Sequence, residues 1–475
     1  MALREPIEVE PLESLGAVHF IAIGGAGMSG IAQLFHASGV RVTGSDQTDS
    51  SVLRQLSAAG ITTYVGHDAI QLGDADTVVV SSAIREWNPE LAEARRRGLR
   101  VLHRSAALAS LMHGRVGVSI AGTHGKTTTT GMTAVMLAAA GLDPSYVIGS
   151  PLASSGTSAH LGTGDVFVVE ADESDGSFLQ YPTSIAVVTN VEADHLDNWE
   201  TPQAYVDGFV RFASQPQVRV LVANSDDPGA AELADRVEKQ GTRVIRYGSG
   251  ADADVRLTEP DFEGTTASGS LTHDGSSGRI VLQVPGRYNL ENAAAAYAVG
   301  RELGGTHAQL VAGAATFTGT LRRFQLVGES ADIRVFDDYA HHPTELRAAL
   351  TAARRAVGEG RLIACFQPHL YSRTVEFADE FGEALTLADL AVVTDIYGAR
   401  EDPVPGVTGE VVAEACRRHG GEVAYVTDKR DLPIWLAEQA RPGDLVMTLG
   451  AGDVTLVGPL LVDVLRARVA DEGTA

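Results

Sequence analysis

The loop with the strongest chemical signature is Gly122–Thr128, GTHGKTT, which follows the apolar run Val116–Ala121. A glycine-rich loop between a strand and a helix lets backbone N–H groups surround phosphate oxygens. Lys126 can neutralise the β- and γ-phosphates of ATP, and the Thr127 hydroxyl can ligate Mg²⁺. The usual phosphate-loop spacing would place a glycine where Ile120 stands. The sequence therefore predicts ATP phosphate binding, with a spacing that argues against a standard NTPase.

A second glycine-rich stretch, Gly24–Gly30 (GGAGMSG), follows the predicted strand Val18–Ile23 and opens a predicted helix. Asp46 comes just after the next predicted strand, Arg41–Gly44. The glycines let backbone N–H groups approach a diphosphate, and the carboxylate can accept a hydrogen bond from a sugar hydroxyl. Binding of NAD and binding of a UDP-sugar both fit, as does a packing turn without a ligand. Nothing later in the chain has the pattern of a hydride-transfer site.

Acidic clusters follow two predicted strands of the same sheet. The strand Val166–Glu170 leads into Ala171–Asp175, and the strand Ile185–Asn190 leads into Val191–Asp197, which includes His195. One acidic cluster is usually a solvated loop. Two clusters at successive strand ends beside a phosphate loop favour Mg²⁺ ligation, because ligands bind at the carboxyl edge of parallel sheets. We expect His195 to be a second metal ligand.

The composition limits the class of protein. A chain of 475 residues is too long for one core. Its formal net charge of −24 argues against a nucleic-acid partner. Two cysteines exclude a disulfide framework. The N-terminus lacks the pattern of a signal peptide, and no apolar run approaches the roughly 18 residues of a spanning helix. We therefore expect a cytoplasmic protein without membrane insertion.

The alternation of strands and helices predicts an α/β fold with three domains. Residues 1–111 should form a Rossmann-like domain, and residues 324–475 a second one. Residues 112–323 should form a central P-loop-type ATPase domain with a mainly parallel sheet and a small antiparallel addition at 251–284. Further strands are predicted at Thr77–Val80, Val218–Asn224, Arg334–Asp337, Leu362–Phe366, Ala391–Thr394 and Leu445–Leu449. The chain's three tryptophans, Trp87, Trp199 and Trp435, are expected to be packing residues.

The ordered motifs resemble those of the Mur ligase family over nearly the whole chain. They are GGAGMSG, AGTHGKTTTT, VEADESD, VTNVEADHLD, GRYNLENAAAA, RRFQ, DDYAHHP, FQPHLYSRT and LGAGD. Their wording is most similar to the branch that adds L-alanine, whereas the sibling that reattaches a recycled tripeptide tends to carry tyrosine where Ser174 stands. The chain also has no lysine between Lys126 and Lys239. It thus lacks the carbamylated lysine with which several other Mur ligases bridge their metals.

The resemblance implies ATP-dependent ligation of L-alanine to the carboxylate of UDP-N-acetylmuramate in peptidoglycan precursor synthesis. The reaction would proceed through an acyl phosphate and release ADP and phosphate. ATP and two Mg²⁺ ions, which Mn²⁺ can replace, are expected, in a monomer or homodimer. The alternatives are the tripeptide-recycling ligase or another Mur-type amino-acid ligase. From other classes, an NAD-dependent dehydrogenase and a non-catalytic nucleotide sensor each explain part of the sequence.

The resemblance also implies residue roles. The UDP-sugar site would comprise Gly25, Ala26, Gly27, Met28, Ser29, Gly30, Asp46, Ser81, Ser82 and His124. The ATP site would comprise Gly122, Thr123, His124, Gly125, Lys126, Thr127, Thr128, Asn289, Asn292, Arg323 and Asp337. Thr127, Glu170 and His195 would ligate metal. Catalytic roles would fall to Lys126, His195, Arg323, His369 and Arg373. Leu370 stands where many relatives have arginine, so one cation of the C-terminal domain is missing.

Overall fold

The computed structural model describes residues 3–399 and 401–472, without the side chains of Ala26, Asp197, Asp471 and Glu472. The expected ligand contact of the Ala26 side chain therefore lies outside the described part. The chain forms two compact units. The first contains Met1–Thr258, Ser270–Ile280 and Glu291–Thr316, and the second contains Glu259–Gly269, Val281–Leu290 and Phe317–Ala475. The expected domain boundaries near residues 111 and 323 stay predictions.

The first sheet of the first unit has five parallel strands in the order β3-β2-β1-β4-β5. The strands are β1 Val18–Ile21, β2 Val42–Asp46, β3 Thr62–Val65, β4 Thr77–Val80 and β5 Arg100–His103. The helices are α1 Ala26–Ala37, α2 Ser51–Ala58, α3 Pro89–Arg96 and α4 Arg104–Met112. The strand order reverses at β1, between β2 and β4. A ligand site is expected at the carboxyl ends of these central strands, where α1 begins.

The second sheet has ten strands in the order β15-β14-β13-β12-β11-β10-β6-β9-β7-β8. The strands of its first half along the chain are β6 Val116–Ala121, β7 Ser145–Val147, β8 Ala159–His160, β9 Val166–Glu170 and β10 Thr183–Val188. The others are β11 Val220–Asn224, β12 Arg243–Gly248, β13 Val255–Glu263, β14 Thr266–His273 and β15 Ser276–Leu282. The helices are α5 Lys126–Ala139, α6 Leu196–Trp199, α7 Pro202–Ala213, α8 Pro228–Glu238, α9 Arg287–Glu302 and α10 His307–Ala315.

The central strands of this sheet are parallel, and β6 pairs with both β9 and β10. The two acidic clusters therefore leave the sheet on either side of the phosphate loop. The strands β13, β14 and β15 are joined by two-residue turns, and the second turn is Asp274-Gly275, with φ of 47° and 73°. Positive φ at both central positions is the geometry of a tight hairpin. The expected antiparallel addition is thus confirmed in this segment.

The second unit contains a six-stranded sheet in the order β16-β17-β21-β18-β19-β20. Only the pairing of β16 with β17 is antiparallel within it. The strands are β16 Gln325–Ser330, β17 Ile333–Asp338, β18 Leu362–Phe366, β19 Leu390–Val393, β20 Val423–Tyr425 and β21 Leu445–Leu449. The helices are α11 Pro343–Val357, α12 Tyr371–Leu385, α13 Glu410–Arg418, α14 Leu432–Gln439 and α15 Val457–Glu472. Its buried strands carry helices on both faces, which form two separate hydrophobic clusters.

The α/β class with mainly parallel sheets is confirmed. One packing prediction is wrong, because Trp87 is 80% exposed. Trp87 lies in the loop directly before Asn88, which caps α3, so no element covers its ring. Trp199 is 3% exposed and packs as expected. Among the described residues, no helix combines the length and the apolar character that crossing a membrane requires.

Candidate active site

The loop Gly122–Thr128 turns sharply from β6 into α5. Gly125 is the N-cap residue of α5 with φ of 83°, and Gly122 has φ of 130°. A β-carbon at Gly122 would lie 2.0 Å from Thr189 Oγ1, and one at Gly125 would lie 2.9 Å from Asn292 Oδ1. Both positions therefore require glycine for backbone conformation and for space. The loop also lies beside Asn292, one of the residues predicted to bind ATP.

Lys126 is held by its own loop and by the first acidic cluster. Its Nζ donates to the carbonyl of Gly122 at 2.7 Å and to that of Thr123 at 3.1 Å. The same ammonium lies 3.0 Å from Oε1 and 2.9 Å from Oε2 of Glu173. A lysine ammonium has three N–H donors. A phosphate oxygen must therefore take the place of one of these three partners before it can accept from Lys126.

Glu173 is a buried carboxyl group, 1% exposed. Burial raises its pKa to about 7. Lys126 opposes this increase, and the negative charge of Asp172 contributes to it. Burial alone would lower the pKa of Lys126, but Glu173, Asp172 and Glu170 outweigh it and raise that pKa. The ammonium therefore stays charged while its partner carboxyl titrates near neutral pH.

Thr127 and Glu170 are brought together as the predicted Mg²⁺ ligands require. The Thr127 hydroxyl donates to Glu170 Oε1 at 3.0 Å, and Glu170 Oε2 accepts from the amide of Gly149 at 2.7 Å. A hydroxyl and a carboxylate beside a phosphate loop are hard oxygen donors, the ligands that Mg²⁺ prefers. The residues present thus fit one divalent cation at this position.

The second acidic cluster lies against the first. His195 has φ of 54° and begins the short helix α6. Its Nε2 lies 3.5 Å from Asp194 Oδ2 and 4.0 Å from Glu173 Oε1. The indole N–H of Trp199 donates to the carbonyl oxygen of Glu173 at 2.9 Å. The structure therefore brings His195 next to Glu173, the partner of Lys126, and its role as a metal ligand stays a prediction.

Polar contacts fix the phosphate loop to the second acidic cluster. The Thr123 hydroxyl donates to the Glu192 carbonyl at 2.8 Å, and His124 Nε2 lies 3.0 Å from Glu192 Oε2. The amide of His124 donates to Asn190 Oδ1 at 2.8 Å, and Asn190 Nδ2 donates back to the His124 carbonyl at 3.0 Å. Asn190 and Glu192 belong to the motif VTNVEADHLD, which indicated no role for either. Both residues follow β10, and this position explains their contacts with the phosphate loop. Thr128 is buried in the first turn of α5.

The glycine loop of the first sheet is anchored differently. The Gly24 amide donates to Asp46 Oδ2 at 2.9 Å, so one oxygen of the expected ribose acceptor bonds within the chain. The helix α1 begins after Gly25 without a side-chain cap, and Met28, in its first turn, is buried. The N–H groups in the first turn of a helix lack hydrogen-bond partners farther back in that helix, so a ligand can accept from them. A β-carbon at Gly27 would lie 3.2 Å from Arg104 Nη1.

Arg104 contacts the first acidic cluster, although the sequence motifs did not single it out and indicated only its partner Asp172. Arg104 Nη2 donates to Asp172 Oδ2 at 3.0 Å. Burial would raise the pKa of Asp172, but Arg104 and Lys126 hold it well below its usual range. The strand β5, which ends directly before Arg104, was not predicted. A strand there would have marked Arg104 as a residue at the ligand edge.

Ser82 joins the same two sheets. Its hydroxyl accepts from Arg4 Nη2 at 3.2 Å, donates to Asp175 Oδ2 at 3.0 Å and lies 3.2 Å from His103 Nε2. Burial, together with the cations Arg4 and Arg104, lowers the pKa of His103 to about 3. Ser81 lies at the end of β4, and Ser29 and Gly30 lie in the first turns of α1. The ligand contacts of Ser29, Gly30, Ser81 and Ser82 stay predictions.

The second unit holds the other predicted site residues. Arg323 lies over the ring of Tyr339, 5.1 Å from its centroid, and 3.8 Å from Glu345 Oε1. His369 stacks on Tyr397 at 5.9 Å between centroids. Arg373 is buried in the first turn of α12. Leu370, which precedes α12, has φ of 67°.

Two further predictions fall on buried polar groups of this unit. Asp337 accepts from Thr448 Oγ1 at 2.6 Å and from Thr455 Oγ1 at 2.8 Å. Asn289 Nδ2 donates to the Pro285 carbonyl at 2.7 Å. Burial raises the pKa of Asp338 to about 6, although Arg323 opposes the increase. The ATP contacts of Asp337 and Asn289 stay predictions.

Comparison with known families gives three matches in chain order. The Mur ligase family, catalytic domain, matches residues 17–115. The Mur ligase middle domain matches residues 120–300. The Mur ligase, glutamate ligase domain, matches residues 322–452. Together the matches cover most of the described chain.

Individual proteins are similar over nearly their whole lengths. A UDP-N-acetylmuramate–L-alanine ligase of Cutibacterium acnes is 67% identical, over 98% of this chain and 100% of the relative. The ligase of the same name from Kineococcus radiotolerans is 52% identical, over 97% and 98%. The crystal structure of the Thermotoga maritima UDP-N-acetylmuramate–alanine ligase matches with TM-score 0.81 and 26% identity, over 95% and 99%. A murein peptide ligase from Psychrobacter arcticus matches with TM-score 0.70 and 25% identity, over 95% and 98%.

Proposed function

This chain belongs to the Mur ligase family, and we propose that it joins L-alanine to UDP-N-acetylmuramate at the expense of ATP. The observation that carries the proposal is the 67% identity, over 98% of the chain, to a ligase of that name. The geometry supports it, because Lys126, Thr127 and Glu170 meet at one phosphate loop. We further propose that the reaction occurs in the cytoplasm, in peptidoglycan precursor synthesis, by a monomer or homodimer.

The reaction must activate a carboxylate, because oxide is too poor a leaving group for direct attack by an amine. A carboxylate oxygen of UDP-N-acetylmuramate attacks the γ-phosphorus of ATP, and ADP leaves. The amine of L-alanine then attacks the acyl carbon of the resulting acyl phosphate. The tetrahedral intermediate collapses to the amide with loss of phosphate, and the amine loses its proton. Such phosphoryl transfer depends on positioning and charge neutralisation rather than on covalent chemistry by the protein.

Residues of the first unit would neutralise and orient ATP. Lys126 would exchange Glu173 for a phosphate oxygen, and the amides of the loop would surround the other oxygens. Thr127 and Glu170 would hold one Mg²⁺ and His195 a second, with Mn²⁺ as a substitute. Mg²⁺ supplies positive charge against the phosphate oxygens. His124 would lie at the junction of the ATP and muramate sites, and Asn292 beside the loop would reach the adenine.

The second unit would contribute cations and the amino-acid site. Arg323 would meet the γ-phosphate, and Asn289 and Asp337 would contact the nucleoside of ATP. His369 and Arg373 would orient the alanine or the muramyl end, and a guanidinium suits a carboxylate because its fork binds two oxygens. The residues Gly25–Gly30, Asp46, Ser81 and Ser82 would hold the UDP part.

A second candidate function is a tripeptide-recycling ligase. The structural similarity to the Psychrobacter arcticus murein peptide ligase, with TM-score 0.70, supports this second candidate. Both enzymes would use the same nucleotide chemistry, so only the amine substrate separates them.

The test is phosphate release from ATP in the presence of UDP-N-acetylmuramate, with each candidate amine added in turn. We expect release that requires both the sugar nucleotide and L-alanine, and a new amide product by mass spectrometry. Release that requires a tripeptide instead would move the assignment to the recycling ligase. If no amine leads to phosphate release, both the alanine-ligase and the recycling-ligase assignments are contradicted.

A further inference from the structure

Arg104 lies between the glycine loop of the first sheet and the acidic cluster of the second. Its Nη2 donates to Asp172 Oδ2 at 3.0 Å. Its Nη1 lies 3.2 Å from the position that a β-carbon at Gly27 would occupy. One nitrogen of the fork is therefore bound to a carboxylate, while another lies against the loop predicted to receive a diphosphate.

The glycine loop has no cation of its own. The segment Gly24–Gly30 contains no charged residue, and the whole chain carries a formal net charge of −24. Backbone N–H groups and the helix dipole of α1 favour an anion, but their effect is modest in partly exposed positions. A nearby positive side chain would add a charge-assisted hydrogen bond to a diphosphate at this loop. The guanidinium of Arg104 lies beside Gly27.

We propose that one edge of the Arg104 guanidinium binds the diphosphate of the sugar nucleotide while Asp172 holds another edge. The acidic cluster of the second sheet thereby completes the sugar-nucleotide site. The inference rests on the proposed function. The planar fork of arginine can satisfy a carboxylate and a phosphate at once, which a lysine ammonium cannot do with the same fixed geometry. Asp172 acts through Arg104 and is therefore a positioning residue.

The arrangement joins the two nucleotide sites through one short segment. Asp172 contacts Arg104, and the next residue, Glu173, contacts Lys126 of the ATP loop. The same segment thus carries the counterion of each site's cation. A ligand that orders Arg104 therefore also restrains the segment that binds Lys126.

The competing explanation is that the ion pair only ties α4 to the second sheet. Titration of UDP and of uridine into the full-length protein separates the two explanations, because only UDP has the diphosphate. Calorimetry can follow UDP, and ligand-observed NMR can follow the weaker uridine. The variants are Arg104→Gln, Arg104→Lys and Asp172→Asn. The matched control is Arg95→Gln, which removes an exposed arginine on α3 that pairs with Glu86.

We expect Arg104→Gln to weaken UDP binding by about 10- to 100-fold, because the charge-assisted hydrogen bonds from the guanidinium to the diphosphate are lost. Its uridine affinity should stay within about twofold of the parent. Arg104→Lys should recover part of the loss, Asp172→Asn should lose less than Arg104→Gln, and Arg95→Gln should bind as the parent does. Thermal melts of each variant show whether the fold is retained, and Arg104→Lys keeps the test valid if Arg104→Gln unfolds.

Equal losses of UDP and uridine affinity would assign Arg104 a purely structural role. Parent-like UDP binding by Arg104→Gln and Arg104→Lys would overturn the inference as well. A parent protein that binds no UDP would instead contradict the proposed function, so the two failures are distinguishable.

Discussion

The two loops that we propose bind phosphate groups, Gly122–Thr128 (the ATP loop) and Gly24–Gly30 (the glycine loop), differ in where their positive charge comes from. In the ATP loop the cation is Lys126, part of the loop, and its three donors already have partners in the chain. Beside the glycine loop the cation is Arg104, which belongs to α4 and has its Nη1 against Gly27. The ATP loop must therefore exchange an internal partner for its ligand. The glycine loop can bind a ligand without breaking the pair between Arg104 and Asp172.

The loops also differ in how tightly the backbone is packed. A β-carbon at Gly122 would meet the side chain and backbone of Thr189, whereas one at Gly27 would meet only the flexible end of Arg104. In the ATP loop, Lys126 is already paired with the carboxylate of Glu173, which lies outside the loop. The glycine loop has more space at Gly27, although a β-carbon at Gly24 would lie 2.9 Å from Asp46 Oδ2, and its segment Gly24–Gly30 contains no charged residue.

The largest expected effect comes from removing the internal cation. Lys126→Ala should lower kcat by about 10²- to 10³-fold, because developing phosphate charge loses its main partner. Steady-state phosphate release measures this. The control is Lys239→Ala, at the exposed end of α8, which should retain parent activity. A kcat of Lys126→Ala within tenfold of the parent value would contradict the role of Lys126 as the cation of the ATP loop.

His195→Ala should raise the Mg²⁺ concentration for half-maximal activity by about tenfold or more, because a direct ligand is lost. Electron paramagnetic resonance of bound Mn²⁺ in the presence of ATP should show weaker binding independently of turnover. Unchanged Mn²⁺ binding would argue against metal ligation by His195. The affinity for UDP should stay unchanged, since the glycine loop holds no metal ligand in this proposal.

The glycines give a stability test of the same contrast. Gly122→Ala should lower the free energy of unfolding by about 3 kcal/mol, because the residue combines positive φ with a 2.0 Å approach to Thr189. Gly27→Ala should change it by less than about 1 kcal/mol, since a guanidinium end can move aside. Urea denaturation of both variants measures the difference. Equal destabilisation would contradict the contrast in packing.

The pH dependence of stability should change with Glu173. Its pKa of about 7 lies above the usual value of 4.5, so the folded state binds more protons between those values. Its contribution is thus present below pH 4.5 and is lost as pH rises through 7. The free energy of unfolding of the parent should fall, relative to Glu173→Gln, by on the order of 1–3 kcal/mol from pH 4.5 to 8.

Denaturation series at several pH values measure that difference. Glu232→Gln, on the exposed face of α8, is the matched control and should follow the parent at every pH. Parallel profiles for the parent and Glu173→Gln would mean that the Glu173 carboxyl titrates at an ordinary pKa in the folded state.

Much of the fold could be predicted because strongly apolar runs end in polar or glycine-rich loops. The strands β6, β9, β18 and β21 begin and end at the predicted residues. The short strand β5, Arg100–His103, was missed because two of its four residues are polar. The edge strand β3, Thr62–Val65, begins with two threonines, and the edge strand β20, Val423–Tyr425, has only three residues.

The site could be predicted where the chemistry lies within one motif. Lys126, Thr127 and Glu170 meet as the two motifs suggested, because adjacent parallel strands deliver their ends to one edge. The pair of Arg104 and Asp172 depends on how two sheets pack. The two residues are 68 positions apart, and no local pattern records that packing. Likewise, the bond from Gly24 to Asp46 depends on strand register rather than on residue type.

The hydrogen bond from the Trp199 indole to the Glu173 carbonyl gives this protein a built-in optical reporter. An indole buried at 3% exposure, with its N–H bound next to the partner of Lys126, emits light whose wavelength and yield depend on that bond. Trp87, at 80% exposure, is open to a water-soluble quencher such as acrylamide. In a Trp87→Phe/Trp435→Phe variant, which keeps Trp199 as its one tryptophan, intrinsic fluorescence should follow nucleotide arrival in real time, without a label. Compounds that occupy the site could be screened by the same signal.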